Sequence, residues 1–553
     1  MNLIKLDETR DYLSFKLSDK FVAGYEGRES PFGFVDAGGN SVGEFIMIDK
    51  YSRLKEDGTK ERWHEVCRRV IEGMYSIQKD WAKTNHLPWN NAKAQGSAQE
   101  AYDLLFDLMW TPPGRGLSAM GSYVVNGLKN STPLQNCAFI STSEMTKTDP
   151  SAPFTFLMDV SMLGVGVGYD TKGTEKSFVI HEPGNFSGPN IEIFEVPDSR
   201  EGWVEALKRK LESYLIPNRK ILVLNTDLIR PKGAPIVTFG GVAPGPEPLE
   251  LLMRQLDRVL GNRDGDLLIS KDIVDIANLI GICVVSGNVR RSAEIALGKH
   301  DDKEFLNLKN YEVNPERAEW GWMSNNSLYG EVGMDYSPFV ENIAENGEPG
   351  IVWMENVHGF GRLEDGKNSA DHRAAGVNPC AEQFLESGEM CTLGDIHFSR
   401  IPSLAKLRRA IKFAFLYAKT VTLMPTHIAK TNAIMQRNRR IGLSASGVAD
   451  FVDNRGRTCL TTWLDRGYGF TREYDKVYSE WLCIRESIRV TTVKPTGTIG
   501  LLVGESPGAH WTPGGTHFMR AVTLDKDHPV VPRFEEAGYL VETSFYNPST
   551  SVV

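Results

Sequence analysis

Three cysteines are the residues of this chain best suited to redox chemistry. Cys380 stands two positions after an amide, Asn378, and two positions before an acid, Glu382. Cys391 follows eleven residues later, and Cys137 lies far upstream. A thiol beside a carboxylate, together with two thiols able to form a disulfide, is typical of thiol radical and redox chemistry.

A free cysteine is nevertheless most often a small, buried hydrophobic residue. Pro379 stiffens the approach to Cys380, and Glu382 brings a charge that a plain core would not favour. A glycine three residues before Cys391 allows the segment to fold back and bring the second thiol close to the first. Pairs of cysteines that form and break a disulfide in the cytosol are usually catalytic or redox-sensing. These residues alone leave the catalytic and the structural interpretation open.

A second motif could hold phosphate groups. An apolar stretch that favours a helix follows the five residues Lys494, Pro495, Thr496, Gly497 and Thr498. Backbone N–H groups at the start of a helix bind phosphate, and threonine hydroxyls add donors. A capped turn explains the same residues equally well, and the spacing is not that of a P-loop.

Two turns carry adjacent arginines. One follows a strongly apolar helix and contains Gly287, Asn288, Arg290 and Arg291; the other occupies 438–442. Guanidinium groups on a turn suit contacts with phosphate or with a base. A solvated, charged helix end is the alternative, and these residues taken alone favour it.

The glycine run at 164–168 is a fourth motif. Its third glycine comes too early for a dinucleotide loop, and no clear strand precedes it. The better interpretation is that these glycines form the tightly turned start of a strand that lies near a ligand.

Composition excludes several classes of protein. The chain has 553 residues, of which 41% are hydrophobic and 24% charged, as in ordinary soluble domains. No apolar run approaches the ~20 residues of a membrane span, and the first residues do not form a signal peptide, so we expect a cytoplasmic protein without a membrane partner. A net charge of −9 argues against general binding to nucleic acid. Seven cysteines without a Cys-x-x-Cys pair indicate neither a disulfide scaffold nor a zinc ribbon, and we expect no metal site.

Periodicity predicts an α/β architecture with a helical beginning. We expect a mostly helical region at 1–110 and an α/β region at 111–553, with a Pro- and Gly-rich insertion at 171–248. Apolar spacing predicts helices at about 62–109, 201–214, 272–285, 404–420 and 470–488.

Taken together, these residues resemble the catalytic chain of ribonucleotide reductases. The likeness is greatest to the monomeric adenosylcobalamin-dependent (class II) ribonucleoside-triphosphate reductases. Segments matching the family occur in the family's order from about residue 20 to the end. They are 113–115, 136–137, 164–168, 197–203, 239–241, 287–292, 324–327, 345–350, 378–382, 438–442 and 494–498.

The resemblance implies a fold and a division of chemical roles. The fold would be a ten-stranded α/β barrel with a central finger loop, and Cys380 at its tip would become the thiyl radical that removes the ribose 3′ hydrogen. Glu382 would be the general base on the 3′ hydroxyl, and Asn378 would bond to the substrate. Cys137 and Cys391 would supply two electrons and end as a disulfide.

The resemblance also implies ligands and partners. A ribonucleotide substrate, taken as the triphosphate, would meet Asn136 and the phosphate motif. A deoxynucleotide effector would bind the loop containing Gly287, Asn288, Arg290 and Arg291, and the insertion would replace a dimer partner in building that site. The cofactor would be adenosylcobalamin, the reductant an external thiol such as thioredoxin, and the chain a monomer.

One departure from the family and the undetermined radical source keep other interpretations open. The last cysteine is Cys483, so the tail cysteine pair of the family is absent, and the β-branched end suggests that the natural protein is longer. A class I large subunit would carry no cofactor of its own and would take its radical from a metal-bearing small subunit. A nucleotide-binding regulator without catalysis is the alternative from a different functional class.

Overall fold

The computed structural model describes residues 11–35, 41–55, 57–184, 190–234, 236, 242–286, 292–511, 521–526, 530–544 and 550–552. Within these ranges the chain is a mixed α/β protein. Among the helices described there, none combines the length and the apolar character that crossing a membrane requires. The effector turn predicted at 287–291 lies outside the described residues.

The beginning of the chain is mostly helical. Its elements are α1 (Asp19–Ala23), α2 (Val42–Ile46), α3 (Trp63–Thr84), α4 (Asn91–Phe106), β1 (Trp110–Thr111) and α5 (Gly114–Ala119). The predicted helix at 62–109 is therefore two helices, and Asn90 caps the second by accepting a hydrogen bond from the Lys93 N–H at 3.0 Å. The predicted stripe of Val66, Val70 and Met74 is fully buried.

The middle of the chain alternates strands and helices. Its elements are β2 (Cys137–Ile140), α6 (Ala152–Met162), β3 (Gly166–Asp170), β4 (Ile191–Glu195), α7 (Arg200–Leu215), β5 (Ile221–Asn225), α8 (Glu247–Leu260), α9 (Ser270–Val285), β6 (Glu294–Lys299), α10 (Lys303–Leu306), β7 (Ser324–Gly330), α11 (Val340–Asn346), β8 (Gly350–Trp353) and α12 (Met354–Gly359). The helices predicted at 201–214 and 272–285 are confirmed as α7 and α9. Strands β4 and β5 form a separate parallel pair within the predicted insertion.

The last third supplies the remaining elements. They are β9 (Gly376–Val377), β10 (Phe384–Leu385), β11 (Met390–His397), α13 (Leu404–Val421), α14 (Ala429–Asn438), β12 (Ile441–Ser446), α15 (Val448–Arg455), α16 (Arg457–Leu482), α17 (Gly497–Val503), β13 (Thr523–Asp525), α18 (Val531–Glu536), β14 (Glu542–Thr543) and β15 (Thr550–Val552). The helix predicted at 404–420 is confirmed as α13. The bounds predicted for 470–488 were wrong: α16 begins at Arg457 and ends at Leu482, because Cys483 takes a left-handed φ of 53°.

One mixed sheet positions the thiols. Its strand order is β1-β11-β2-β3-β6-β7-β8, with β12 on the other edge of β11. Neighbours from β2 to β8 are parallel, as are β11 and β12, whereas β11 meets β2 and β1 antiparallel. Two parallel groups running in opposite directions therefore join at β11, and the sheet curls around a hairpin formed by β9 and β10.

Alternation along the strands separates an inner from an outer core. Phe139, Ile295 and Leu297 pack inward against the hairpin. Ala138 and Ala296, the neighbours that alternate with them, belong to the outer core beneath helices α6 to α9. This period of two is that of strands buried on both faces. The hairpin is thereby held inside the curl of the sheet.

Candidate active site

A tight turn carries Cys380 at the end of the hairpin. The Asn378 N–H donates to the Gln383 carbonyl at 3.1 Å, and the Gln383 N–H donates to Asn378 Oδ1 at 2.9 Å. The Ala381 N–H donates to the Asn378 carbonyl at 2.8 Å, and Ala381 has a left-handed φ of 58°. Asn378 therefore holds both ends of the turn, which fixes the position of Cys380 at its tip.

Two glycines of β3 let the hairpin approach the sheet. A Cβ atom at Gly168 would lie 1.8 Å from the Val377 carbonyl oxygen, and one at Gly166 would lie 3.1 Å from Cγ of Pro379. The predicted strand start is confirmed, because β3 begins at Gly166, while its predicted proximity to a ligand stays a prediction. The strand lies beside the hairpin, and only glycine fits at Gly168.

The environment of Cys380 keeps its thiol protonated. The residue is accessible at the hairpin tip, whereas the adjoining Pro379 and Asn378 are buried. Although Cys380 is exposed at the tip, the protein around its sulfur removes much of its hydration, and this desolvation is the largest cause that raises the pKa of Cys380 to about 12. The negative charges of Glu382 and Cys137 add to the rise, while Lys494 acts in the opposite direction. A thiol in this state is a poor nucleophile at neutral pH and keeps an S–H hydrogen atom.

The Glu382 carboxyl group lies beside this thiol in a similar environment. Burial raises the pKa of Glu382, and its own backbone N–H, the Asn378 amide and Lys494 partly oppose that rise. Glu382 Oε2 and Asn378 Nδ2 are nevertheless buried without a hydrogen-bond partner at bonding distance. A carboxylate of raised basicity and an amide donor are thus both available to a ligand.

Strand pairing brings the other two cysteines together. Cys391 on β11 is the antiparallel partner of Cys137 on β2. Directly opposed residues of an antiparallel pair have Cα atoms about 4.5–5.5 Å apart, which lies within the range that a disulfide can bridge. Burial is the main cause that raises the pKa of Cys391 well above its ordinary value, and the neighbouring Cys137 adds to it. The two thiols can therefore act as a two-electron reductant beside Cys380.

Further polar atoms without partners lie in the predicted substrate segments. Asn136 Oδ1 and Thr496 Oγ1 are buried and make no hydrogen bond among the described residues. Asn136 directly precedes Cys137, and its N–H donates to the Cys391 carbonyl at 3.1 Å. Because buried polar groups are normally paired, these two atoms keep hydrogen-bonding capacity that a polar ligand could use.

Lys494 differs from the rest of the phosphate motif. Its side chain is buried and forms an ion pair with Asp395 of β11, and its N–H donates to Ser444 Oγ at 2.9 Å. Thr496 is the residue before α17, which begins at Gly497, while Pro495 and Gly497 are exposed. Thr498 lies in the first turn of that helix. The positive charge of Lys494 is therefore already paired with the carboxylate of Asp395.

The predicted effector residues Gly287, Asn288, Arg290 and Arg291 lie outside the described residues. The next described residue, Ser292, donates from its hydroxyl to the Val165 carbonyl at 3.1 Å. Within the ranges described above, no cluster of three or more His, Cys, Asp or Glu side chains is arranged to hold a metal ion.

The arginine turn at 438–442 is buried, so its interpretation as a solvated helix end is wrong. Arg439 and Arg440 are almost completely buried. Arg440 binds Asp371 and Glu389, which flank the hairpin along the chain. The adjacent arginines were a visible signal, but the acidic partners of Arg440 stand far away in sequence, and no local pattern pairs them.

Comparison with known proteins matches this geometry. Residues 17–122 match the family model "Ribonucleotide reductase alpha domain", and residues 176–260 match "B12-dependent ribonucleotide reductase, insertion domain". A crystal structure of a B12-dependent (class II) ribonucleotide reductase covers 98% of this chain and 83% of its own, with a TM-score of 0.81 and 28% identity. The fold is that of a ribonucleotide reductase catalytic chain.

Curated relatives define the family more closely. A Dictyostelium discoideum protein named "Probable adenosylcobalamin-dependent ribonucleoside-triphosphate reductase" is 45% identical over 98% of this chain and 72% of its own. The Euglena gracilis adenosylcobalamin-dependent ribonucleoside-triphosphate reductase is 43% identical over 98% and 73%. The Lactobacillus leichmannii enzyme of the same name is 32% identical over 91% and 77%. The chain belongs to the family of adenosylcobalamin-dependent ribonucleoside-triphosphate reductases.

Proposed function

We propose that this protein reduces ribonucleoside triphosphates to 2′-deoxyribonucleoside triphosphates with adenosylcobalamin as its cofactor. The observation that carries the proposal is geometric: Cys380 stands at the tip of a hairpin inside a curled sheet, beside the strand-paired thiols of Cys137 and Cys391. A nucleotide-binding regulator would have no use for that combination. The relatives favour this reaction over that of a class I large subunit, because all those cited are adenosylcobalamin-dependent.

The residues at the hairpin tip fit this cofactor. When bound, it supplies the one-electron chemistry that converts a thiol into a thiyl radical. Cys380 is accessible and retains its S–H hydrogen, as a hydrogen-atom donor must.

The chain's own residues then complete the reaction. The Cys380 thiyl takes the hydrogen atom from C3′, and Glu382 accepts the 3′ hydroxyl proton, for which its raised pKa suits it. The 2′ hydroxyl leaves as water while Cys137 and Cys391 provide two electrons and their protons and become a disulfide. Cys380 finally returns a hydrogen atom to C3′. Each turnover thus consumes one dithiol and forms one water.

Unpaired polar atoms favour the predicted substrate contacts. Asn378 Nδ2 and Asn136 Oδ1 would bond to the sugar hydroxyls, which supply both acceptors and donors. Thr496 Oγ1 and the N–H groups of Gly497 and Thr498 would bind phosphate. Lys494 would retain Asp395 as its partner, so phosphate binding would depend on neutral donors.

Several wider features belong to the same proposal. A deoxynucleotide effector would bind the loop at 287–291 together with the insertion at 171–248, the protein would work as a monomer, and thioredoxin or a similar thiol would reduce it in a reducing cytoplasm. The α/β region at 111–553 would close as a ten-stranded barrel behind the helical region at 1–110. Parallel pairing of Thr491 with Leu443 of β12 supports a further strand at that edge.

A single assay tests the function. The protein is incubated with ribonucleoside triphosphates, adenosylcobalamin and dithiothreitol, and deoxynucleotides are quantified. We expect turnover by the wild type and none by Cys380→Ser, which should still bind nucleotide. Turnover that requires a metal-loaded partner subunit instead of the cofactor, or normal function of Cys380→Ser, would contradict the proposal.

A further inference from the structure

A buried arginine joins the two chain segments that lead into and out of the finger hairpin. Arg440, at the start of β12, is 3% exposed. Its Nη1 and Nη2 donate to the two oxygens of Asp371 at 2.6 and 2.7 Å. Its Nε and Nη2 donate to the two oxygens of Glu389 at 3.0 and 3.1 Å. One guanidinium group therefore holds two carboxylates in a rigid, four-bond arrangement.

The two carboxylates stand symmetrically about the reactive thiol. Asp371 comes nine residues before Cys380 and Glu389 nine residues after it. The hairpin and its turn lie entirely between them. Arg440 thus fixes the separation of the two roots of the finger, and with it the direction in which the tip projects.

The surrounding charges balance the arginine clamp, by which we mean Arg440 with Asp371 and Glu389. Glu386 binds Arg437 and also accepts from Asn438 Nδ2 at 3.0 Å, and Asn438 Nδ2 donates to Glu389 Oε1 at 3.0 Å. Arg489 lies 3.5 Å from Asp371. Burial alone would disfavour the charge of Arg440, but the carboxylates raise its pKa, so it stays charged. Three arginines therefore face three carboxylates.

The same clamp reaches the reducing cysteines. Glu389 lies two residues before Cys391, and its carbonyl accepts from the Phe139 N–H of β2 at 3.1 Å. Arg440 directly precedes Ile441, the residue of β12 that pairs with Thr392 of β11. The clamp consequently connects the finger to both strands that carry the dithiol.

We propose that Arg440 is a positioning residue that fixes the Cys380 sulfur relative to the Cys137–Cys391 pair, so that hydrogen-atom removal at C3′ is followed by reduction at C2′. This inference rests on the proposed function. Loss of the clamp leaves every reacting group chemically intact. It changes the distance between the Cys380 sulfur, which removes the hydrogen atom, and the Cys137–Cys391 pair, which reduces C2′. The specific consequence is uncoupling: substrate is consumed without formation of deoxynucleotide.

The test compares neutral and charged variants in the cofactor-loaded protein. Arg440→Met removes the clamp and deprives two buried carboxylates of their shared guanidinium partner. Combining Arg440→Met with Asp371→Asn and Glu389→Gln removes the clamp together with both of its buried carboxylate charges, so this triple variant is the one expected to fold if the single variant does not. Arg317→Met is the matched control, because Arg317 is equally buried, pairs with Asp275 at 2.7 Å and makes no contact with the hairpin among its described bonds.

The readout is the ratio of deoxynucleotide formed to ribonucleotide consumed in a single turnover of pre-reduced protein without external thiol, with the Cys137–Cys391 disulfide counted by mass spectrometry. We expect a ratio near one in the wild type and in Arg317→Met. A misplacement of the order of 1 Å should lower kcat about 100-fold in the triple variant, lower the ratio and leave KM within about threefold. Ethylguanidinium at millimolar concentration replaces the missing end of an arginine side chain. It should raise the ratio in Arg440→Ala and leave the ratio in Arg317→Ala unchanged.

Two results would overturn the inference. A folded triple variant with the wild-type ratio and kcat would show that Arg440 does not position the thiol. A second contrary result is an equal loss of kcat in Arg317→Met and in the triple variant, with the ratio of deoxynucleotide to ribonucleotide near one in both. Arg440 would then contribute to stability only. Failure of the wild type to make any deoxynucleotide would count against the proposed function itself and is distinguishable from both.

Discussion

The protonated state of Cys380 can be measured directly by alkylation. At pH 8, a pKa of about 12 in place of the ordinary 9.0 lowers the thiolate fraction about a thousandfold. Each thiolate that does form is more nucleophilic, by about 20-fold for a Brønsted coefficient of about 0.45. The two effects leave a net retardation of about 50-fold. We therefore expect Cys380 to react with iodoacetamide about 50-fold more slowly than a thiol of ordinary pKa.

The assay follows each cysteine separately by mass spectrometry of peptides after timed labelling. The exposed Cys483 serves as the reference within the same chain, and an unstructured cysteine peptide as the reference outside it. Steric obstruction could also slow labelling, so the pH dependence decides between the two causes. With a raised pKa, the Cys380 rate rises about tenfold per pH unit from pH 8 to beyond pH 10, whereas an obstructed thiol of ordinary pKa levels off near pH 9.

A matched variant examines the second cause of the raised pKa. Glu382→Gln removes the nearby negative charge but leaves burial, the larger cause, in place. Labelling of Cys380 should accelerate several-fold in this variant while labelling of Cys483 stays constant. If Cys380 labels as fast as the reference peptide, or levels off near pH 9, the argument that its surroundings preserve the S–H bond fails.

Three other substitutions have defined outcomes. Glu382→Gln should lower kcat about 100-fold in steady-state turnover with KM little changed, because proton transfer is lost while binding contacts remain. Cys137→Ser should consume ribonucleotide without yielding deoxynucleotide, since one of the two reducing thiols is gone. Gly168→Ala should destabilise the protein by about 1–3 kcal/mol in denaturant unfolding, because its Cβ would lie 1.8 Å from the Val377 carbonyl oxygen. Gly96→Ala in helix α4, with open space around it, should stabilise by about 0.5–1 kcal/mol.

Each of these outcomes has a contrary result. Near-normal kcat in Glu382→Gln would remove the base role. Stoichiometric deoxynucleotide from Cys137→Ser without external thiol would show that another residue reduces C2′. Equal stability changes for Gly168→Ala and Gly96→Ala would show that the hairpin does not press on β3 as closely as the structure has it.

Local arrangements could be anticipated from the sequence because they lie within a few residues. The loop with Cys380 at its tip was implied by the family resemblance, whereas the turn itself depends on the bonds between Asn378 and Gln383 and on the left-handed φ of Ala381. Helices α9 and α13 follow from their apolar periodicity. The break between α3 and α4 was missed although Pro88 and the capping Asn90 mark it in the sequence. The end of α16 was missed because a non-glycine residue, Cys483, adopts the left-handed conformation.

Contacts between distant segments could not be derived in this way. The pairing of Cys137 with Cys391 depends on the register of β2 against β11, and a shift of one residue would turn one thiol away. The resemblance implied that pair, whereas spacing along the chain did not. Likewise, Lys494 suggested a phosphate ligand, but its partner Asp395 stands far away in sequence and is brought to it by the sheet.

The burial that protects the radical chemistry also restricts repair of the site. Burial raises the pKa of both Cys380 and Cys391, which favours hydrogen-atom and two-electron transfer over nucleophilic side reactions. Thiol–disulfide exchange, however, requires a thiolate that can reach the sulfur under attack. Cys391 is almost completely buried, whereas Cys137 is partly accessible. An external reductant should therefore attack the Cys137 sulfur first, and Cys391 should be the leaving thiol. Trapping the mixed disulfide with a monothiol and locating it by mass spectrometry tests this order, and a trapped adduct on Cys391 would contradict it.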